Sequence, residues 1–162
     1  MNTFLLSFFL LAITSQSFAQ NSCNIKKANA WFSASMPGAQ RADENGNPID
    51  PKPIINRFIY VEYSGSKAPQ IRSVTYNGAE LIFTVVNLKE KTVWAGDKKL
   101  NPGNGMSAKK GNSFLKIDLQ PADGQLMPDA GCKNIVIKSI VAGKACKFYA
   151  PAEKQFATMP MY

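Results

Sequence analysis

The chain has 162 residues, with 19 Lys or Arg against 11 Asp or Glu and no histidine, which gives a formal net charge of +8 at neutral pH. Without histidine, Ser-His-Asp and Cys-His catalysis, His-ligated zinc and the commonest general base are excluded. The three cysteines have no C-x-x-C spacing, which excludes a zinc cluster. The charge surplus is nearly all lysine, which is typical of a solvated surface and favours anionic partners.

Residues 1–19 have the pattern of a secretory signal peptide. An apolar run from Phe4 to Ile13 is shorter than the about 20 residues needed to span a bilayer, and a small-x-small site, SFA, follows it. No Lys or Arg precedes the run, which departs from the usual pattern. We expect cleavage after Ala19 and export to the periplasm, the cell surface or the medium, with no membrane span.

The mature chain has the length of one ordinary domain. We assign this domain to residues 20–150, followed by a C-terminal tail over residues 151–162. No internal repeat is visible in the sequence.

Beyond the leader, short strand patterns alternate with turn signals. Asn77-Gly78, between two such patterns, predicts a hairpin because both central residues of a type I′ turn need positive φ. The run 113–119 alternates apolar and charged residues, as a strand with one buried face does. We predict strands over residues 29–36, 56–63, 70–76, 79–86, 92–95, 113–119, 133–141 and 145–149, with a turn at 142–144 before the last.

No apolar helical period is long enough to predict a helix. We therefore predict an all-β fold. An antiparallel β-sandwich in the immunoglobulin style, with roughly eight short strands, is the first choice, and a small barrel is the second.

In an exported chain with three cysteines we expect one disulfide and one free thiol. Cys132 and Cys146 are closest in sequence, but the strand predicted over 133–141 carries the chain roughly 30 Å away. Five further residues retrace at most about 18 Å, and a disulfide needs Cα atoms about 4.4–6.8 Å apart. We therefore expect Cys23 to bond either Cys132 or Cys146.

The run DENGNPID, from Asp43 to Asp50, has the composition of a calcium loop, with three carboxylates and two amides. An EF-hand needs Gly at position 6 and Glu at position 12, where this chain has Pro48 and Ile54. The dipeptide NG favours a turn. We interpret the run as a turn and predict no metal site, with a calcium site on Asp43 and Asp50 as the alternative.

Acid–base chemistry could come from a carboxylate pair, as in glycosidases. Glu62, Glu80 and Asp118 lie on or beside predicted strands, where such residues usually face Lys or Arg across a sheet. Ser107 and Lys110 match S-x-x-K, but the companion motifs of penicillin-recognising enzymes are absent from the sequence. There is no phosphate-binding loop or dinucleotide motif. We predict neither an enzyme nor a cofactor.

Binding residues are expected in long loops, because loops on a rigid β scaffold commonly carry them. In the segment 96–112 we predict Lys98, Lys99, Lys109 and Lys110 as contacts to an anionic partner. Nucleic-acid binding is disfavoured by the predicted export and by 16 Lys against 3 Arg. Large aromatic residues, which mostly fill space between sheets, are an alternative sugar-stacking platform: Trp31, Phe32, Tyr60, Tyr63, Tyr76 and Trp94.

The lysine-free leader ending in SFAQ, the DENGNP turn and the short strand segments resemble small exported proteins of Bacteroidota with no assigned function. This likeness extends along the whole chain, rests on no specific motif and assigns no functional residue. It implies a periplasmic or surface β-domain.

We expect an exported, non-catalytic binding or envelope-associated accessory module. Its expected partner is another envelope protein, an anionic glycan or lipopolysaccharide headgroups. A small carboxylate-based hydrolase and an enzyme inhibitor are the alternatives.

Overall fold

A computed structural model describes residues 23–35, 41–49, 54–122 and 127–158. The predicted signal peptide lies outside the described residues. Within them the chain is all-β, without a helix. The strands are β1 (Ile25–Ser35), β2 (Arg41–Ala42), β3 (Pro48–Ile49), β4 (Ile54–Ser64), β5 (Gln70–Tyr76), β6 (Ala79–Leu88), β7 (Thr92–Trp94), β8 (Gly105–Ser107), β9 (Asn112–Gln120), β10 (Ile135–Val141), β11 (Lys144–Ala150) and β12 (Lys154–Gln155).

Eight strands form one curled sheet in the order β11-β10-β5-β6-β9-β4-β1-β12. Its neighbours run antiparallel, except that β12 pairs parallel with β1. The strand pairs β2–β3 and β7–β8 form separate two-stranded sheets. The curl produces a half-barrel with a small second sheet, so the all-β prediction is confirmed in a form that combines layered and barrel-like packing.

The predicted hairpin at Asn77-Gly78 is confirmed. These two residues have φ of 48° and 87°, and they join Tyr76 to the directly opposite Ala79. The values are those of a type I′ turn, whose twist matches that of the flanking strands. A second two-residue turn, Ala142-Gly143 with φ of 49° and 78°, joins β10 to β11 in the same way.

The inner face of the curl holds the larger of two hydrophobic cores. Ile59 and Val61 of β4 lie opposite Ile117 and Leu115 of β9, and all four side chains are fully buried. Alternate residues of β1, β5 and β10 complete this core. The alternation predicted for 113–119 therefore reflects one face inside the curl and one outside.

A second core lies on the outer face of β1, β4 and β9. Trp31 packs edge-on against Tyr60 with ring centroids 5.5 Å apart, and Phe58 packs against Phe156 at 5.4 Å. These rings are covered by Val93 of β7, by Ala95 immediately after β7 and by Met106 of β8. The aromatic residues of β1 and β4 thus join the β7–β8 sheet to the eight-stranded sheet.

The loop at the tip of the β7–β8 hairpin is fixed to the C-terminal segment. Asn101 Nδ2 donates to Ala157 O at 2.9 Å, and Ala157 N donates to Asn101 Oδ1 at 2.7 Å. At Gly96, where φ is +73°, a Cβ atom would lie 2.7 Å from the Phe156 ring. The described part of the predicted tail, residues 151–158, therefore packs on the domain through β12 and Phe156.

The Cys23–Cys146 disulfide connects distant parts of the sheet. Cys23 lies two residues before the start of β1, and Cys146 lies in β11 at the other end of the strand order, with 5.6 Å between the Cα atoms. The expectation that Cys23 bonds one of the other two cysteines is confirmed. Cys132 is buried and free, because continuous β10 separates it from Cys146.

A buried ion pair fastens two loop segments to the same sheet. Arg57 donates from Nε to Glu153 Oε2 and from Nη2 to Glu153 Oε1, both at 3.0 Å, and the two side chains are 0% exposed. Arg57 Nη2 also donates to Asp129 O at 2.6 Å, while Cys132 N donates to Glu153 Oε1 at 3.0 Å. The pair thus holds segments 127–134 and 151–158 against β4.

Tyr76 completes the surroundings of this ion pair. The Arg57 guanidinium lies 5.4 Å from the centre of the Tyr76 ring, a distance at which a cation is attracted to the ring face. Burial, followed by the nearby Glu153 charge, raises the pKa of Tyr76 well above its ordinary value. The phenol therefore stays neutral at physiological pH and adds no charge to the pair.

Breaking the buried pair is expected to destabilise the domain strongly. Arg57→Met should lower the free energy of unfolding by about 3–5 kcal/mol, because it leaves the Glu153 carboxylate buried without its partner. The matched double variant Arg57→Met/Glu153→Leu should recover most of this loss, since it removes both charges. Urea unfolding measures both, and a double variant less stable than Arg57→Met contradicts this account.

Removing the disulfide is also expected to destabilise the fold. Cys23→Ala/Cys146→Ala should cost about 2–5 kcal/mol of unfolding free energy, because the bond closes a very long loop in the unfolded chain. Cys132→Ala leaves the bond intact and serves as the control for loss of a sulfur atom. Equal urea midpoints for the two variants would show that the bond does not hold the curl.

Candidate functional site

Two of the three candidate catalytic carboxylates have partners within the protein. Glu62 is buried on β4, where its Oε1 accepts Lys109 N at 2.9 Å and Asn112 Nδ2 at 2.6 Å. Asp118 forms a salt bridge with Lys116 at 2.6 Å. Glu62 therefore holds the loop before β9, and Asp118 neutralises a neighbour on the same face.

The strand register also keeps these carboxylates apart. Glu62 lies opposite Phe114, whereas Asp118 lies opposite Phe58. The four intervening steps along β4 correspond to about 13 Å, which is beyond the roughly 5–9.5 Å that separates the carboxyl groups of glycosidases. Glu80 is exposed next to the β5–β6 turn. The three residues form no acid–base pair.

The DENGNPID run contains the predicted turn, between β2 and β3. Asp43 Oδ1 accepts Asn45 N at 2.9 Å and Asn47 N at 2.8 Å, and Oδ2 accepts Asn47 Nδ2 at 3.0 Å. The side-chain hydrogen bond from Asn47, followed by its backbone bond, lowers the pKa of Asp43. The carboxylate is thus engaged by its own turn, and Asp50 lies outside the described residues.

A metal site has no support in the described ranges. They contain no group of three or more His, Cys, Asp or Glu side chains placed to hold an ion. Ser107, of the S-x-x-K match, is an exposed residue of strand β8, and its Oγ is 3.1 Å from Thr92 Oγ1. This is not the start of a buried helix, which S-x-x-K chemistry requires.

The four predicted lysines fall into two separate pairs. Lys98 and Lys99 lie at the tip of the β7–β8 hairpin, whereas Lys109 and Lys110 follow its open end. All four are exposed. Lys98 Nζ lies 5.0 Å from the centre of the Trp94 ring. The structure therefore does not bring the two pairs into one site.

The aromatic residues considered as a sugar platform mostly build the cores. Trp94 is half-buried beneath Lys98. The others are buried, namely Trp31, Phe32, Tyr60, Tyr63 and Tyr76.

A group of cations that the sequence analysis missed lies on the outer face of β10 and β11. Lys138 is directly opposite Lys147 in the antiparallel register. Their neighbours Ile137 and Phe148 face the inner core, so both lysines point outward. Cβ atoms of directly opposed residues lie about 4.5–5.5 Å apart, which brings the two ammonium groups within reach of one anion.

Arg72 adds a third cation from the adjacent strand. The β5–β10 register shifts between Lys138 and Ser139, which places Arg72 in a bulge beside Ser73, the residue opposite Lys138. Arg72 is exposed, and its Nη2 donates to Gln70 Oε1 at 3.0 Å. Bulges commonly redirect a side chain in this way.

An exposed aromatic ring borders these cations. Tyr149 is 62% exposed and lies on the same face of β11 as Lys147, whose Nζ is 4.8 Å from the ring centre. A tyrosine ring offers a flat apolar surface together with a polar hydroxyl. We call Arg72, Lys138, Lys147 and Tyr149 the basic face.

Within the part of the chain that the structure describes, no salt bridge neutralises the charge of the basic face. Like charges directly opposite one another destabilise a sheet. The salt bridges among the described residues are Arg57–Glu153 and Lys116–Asp118, and neither includes a residue of the basic face. This arrangement suits an external anion that binds between the ammonium groups.

The two-residue turn at Ala142-Gly143 is the sequence signal that could have located the opposed lysines Lys138 and Lys147. The predicted turn over 142–144 placed Lys144 outside the strand, whereas Lys144 pairs with Val141. With the longer turn, Lys138 would not have been opposite Lys147.

No protein-family model, curated protein or solved structure matches the chain. In the described part of the chain, there is no helix that is long and apolar enough to cross a membrane. The disulfide is consistent with an exported protein. The arrangement of the chain's own residues, chiefly the basic face, is therefore what indicates a function.

Proposed function

We propose that this chain is an exported, non-catalytic binding module that holds an anionic glycan of the cell envelope on its basic face. The observation that carries the proposal is the direct opposition of Lys138 and Lys147 beside the exposed ring of Tyr149. The predicted location of the protein is the periplasm or the cell surface. A leader with the pattern of a signal peptide and the Cys23–Cys146 disulfide support export.

The chemistry of the basic face fits a flexible, negatively charged polymer. An ammonium and an anion 4 Å apart attract by about 1 kcal/mol in water and about 4 kcal/mol near a protein surface. Lysine is a mobile point charge, so Lys138 and Lys147 can follow phosphate or carboxylate groups at varied spacings. The Tyr149 ring adds an apolar plane on which the less polar face of a sugar can rest.

The alternative of a carboxylate-based hydrolase has less support. Glu62 and Asp118 already have protein partners, and their register separates them along β4 and β9. Phosphate-bearing sugars such as lipopolysaccharide headgroups combine the two chemical features that the basic face can recognise.

Replacing the opposed lysines should weaken glycan binding. Lys138→Ala/Lys147→Ala should raise the Kd for phosphorylated lipopolysaccharide at low salt by about 30-fold, because two contacts of about 1 kcal/mol each are lost. Isothermal titration calorimetry measures this change. Binding by the unaltered protein should fall steeply as salt increases.

The matched control is Lys98→Ala/Lys99→Ala, which removes the same charge from the hairpin tip and should change the Kd less than threefold. The Lys138/Lys147 variant should also gain about 0.2–1 kcal/mol of unfolding free energy, because a like-charge cross-strand pair is removed. Equal loss of binding in both double variants would reassign the contact to net charge alone. Salt-resistant binding to an envelope protein would contradict the glycan proposal.

A further inference from the structure

Strand β6 pairs with a different neighbour in each of its two parts. Its first residues, from Ala79 to Leu81, pair with β5. From Ile82 to Leu88 it pairs with β9 alone, and no described strand pairs its other edge. The sheet therefore contains an open edge of seven residues, where β5 and β6 separate.

The backbone groups at this edge can be assigned from the hairpin. The Tyr76–Ala79 pair closes a two-residue turn, and such a closing pair is hydrogen-bonded. Backbone groups that face a given neighbour then alternate along the strand. The N–H and C=O groups that point to the open edge therefore belong to Phe83, Val85 and Asn87.

Apolar side chains surround this edge on both faces of the sheet. Ile82 and Val86 on the outer face are 49% and 48% exposed, and Val85 on the inner face is 39% exposed. The run 81–88, LIFTVVNL, contains no charged residue and no proline. Natural edges are usually protected by Lys, Pro or a bulge, so this unprotected edge has the character of an interface.

We propose that β6 pairs antiparallel with β6 of a second copy of the chain, about a two-fold axis perpendicular to the sheet at Val85. Such an axis keeps equivalent residues on the same face, so paired residue numbers must add up to an even total. In this register Val85 meets its own symmetry mate and Phe83 meets Asn87. The three residues with free backbone groups are thereby all paired.

The side chains are compatible with the same register. Ile82 lies opposite Leu88, and Thr84 lies opposite Val86, so no like charges are opposed along the ladder. Pairing ends there because Leu81 already pairs with Val74. The strand is thus complementary to itself in both backbone and side-chain chemistry.

Charge and size set the strength of this dimer. Each copy carries a formal charge of +8, and the resulting repulsion is screened by salt. Added salt should therefore strengthen dimerisation, whereas it weakens anion binding. A seven-residue edge is smaller than a standard interface of about 1,600 Å², so we expect a reversible dimer.

The dimer has a consequence for binding that rests on the function proposed above. The perpendicular axis leaves the outer faces of both sheets on the same side. Two basic faces can then contact one extended glycan, which raises the apparent affinity through effective concentration.

Cysteine crosslinking tests the register. Val85→Cys places two cysteines opposite each other in the dimer, and mild oxidation should convert most of the chain to a covalent dimer. Ile82→Cys is the matched control, because its symmetry mate lies about 20 Å away along the ladder. Non-reducing electrophoresis distinguishes the two, and equal crosslinking of both variants would overturn the register.

Sedimentation equilibrium from micromolar to millimolar concentration tests the dimer itself. The unaltered protein should dimerise, more strongly at higher salt, and Val85→Lys should weaken the association at least tenfold. Val85 is partly exposed, so Val85→Lys should keep the β-sheet circular dichroism signal. A wild-type monomer at every concentration and salt would overturn the proposal, as would association of Val85→Lys equal to that of wild type.

The dimer and the glycan proposals fail separately. Monomeric Val85→Lys should retain glycan binding at a single basic face. Lys138→Ala/Lys147→Ala should retain dimerisation.

Discussion

The fold depends on the curl of one eight-stranded sheet. A flat sheet of these strands would leave its inner apolar face in water, whereas the curl encloses Ile59, Val61 and their neighbours in one core. Two long-range interactions hold it. The Cys23–Cys146 bond ties β1 to β11, and the buried Arg57–Glu153 pair fastens the loop before β10 and the C-terminal segment to β4.

The curl also determines which surfaces remain for binding. Its inner face is filled, and the outer face of β1, β4 and β9 is covered by the β7–β8 sheet and Phe156. Among the described residues, the basic face on β5, β10 and β11 and the open edge of β6 both stay accessible. One is cationic and suits a glycan, and the other is uncharged and suits a second copy of the chain. Opposite salt dependence follows from these two chemistries.

Local pattern predicted much of this fold. The Asn77-Gly78 turn, the alternation in β9 and the separation of Cys132 from Cys146 all depend on residues close in sequence. The Arg57–Glu153 pair joins residues 96 positions apart, and no local pattern connects them. The basic face was not predicted because the predicted turn was one residue longer than the Ala142-Gly143 turn of the structure. A single step of register changes which side chains are opposed. Lysines adjacent in loops were visible, but their separation by the β7–β8 ladder was not.

The central functional claim is that the outer face of β5, β10 and β11 is the ligand surface. Titration of the ¹⁵N-labelled protein with a phosphorylated glycan fragment, followed by backbone amide chemical shifts, tests it most directly. The account predicts concentration-dependent shifts at Arg72, Lys138, Lys147 and Tyr149, with little change in the segment 96–112. Shifts concentrated in that segment, at Lys98 and Lys99 or at Lys109 and Lys110, would contradict it.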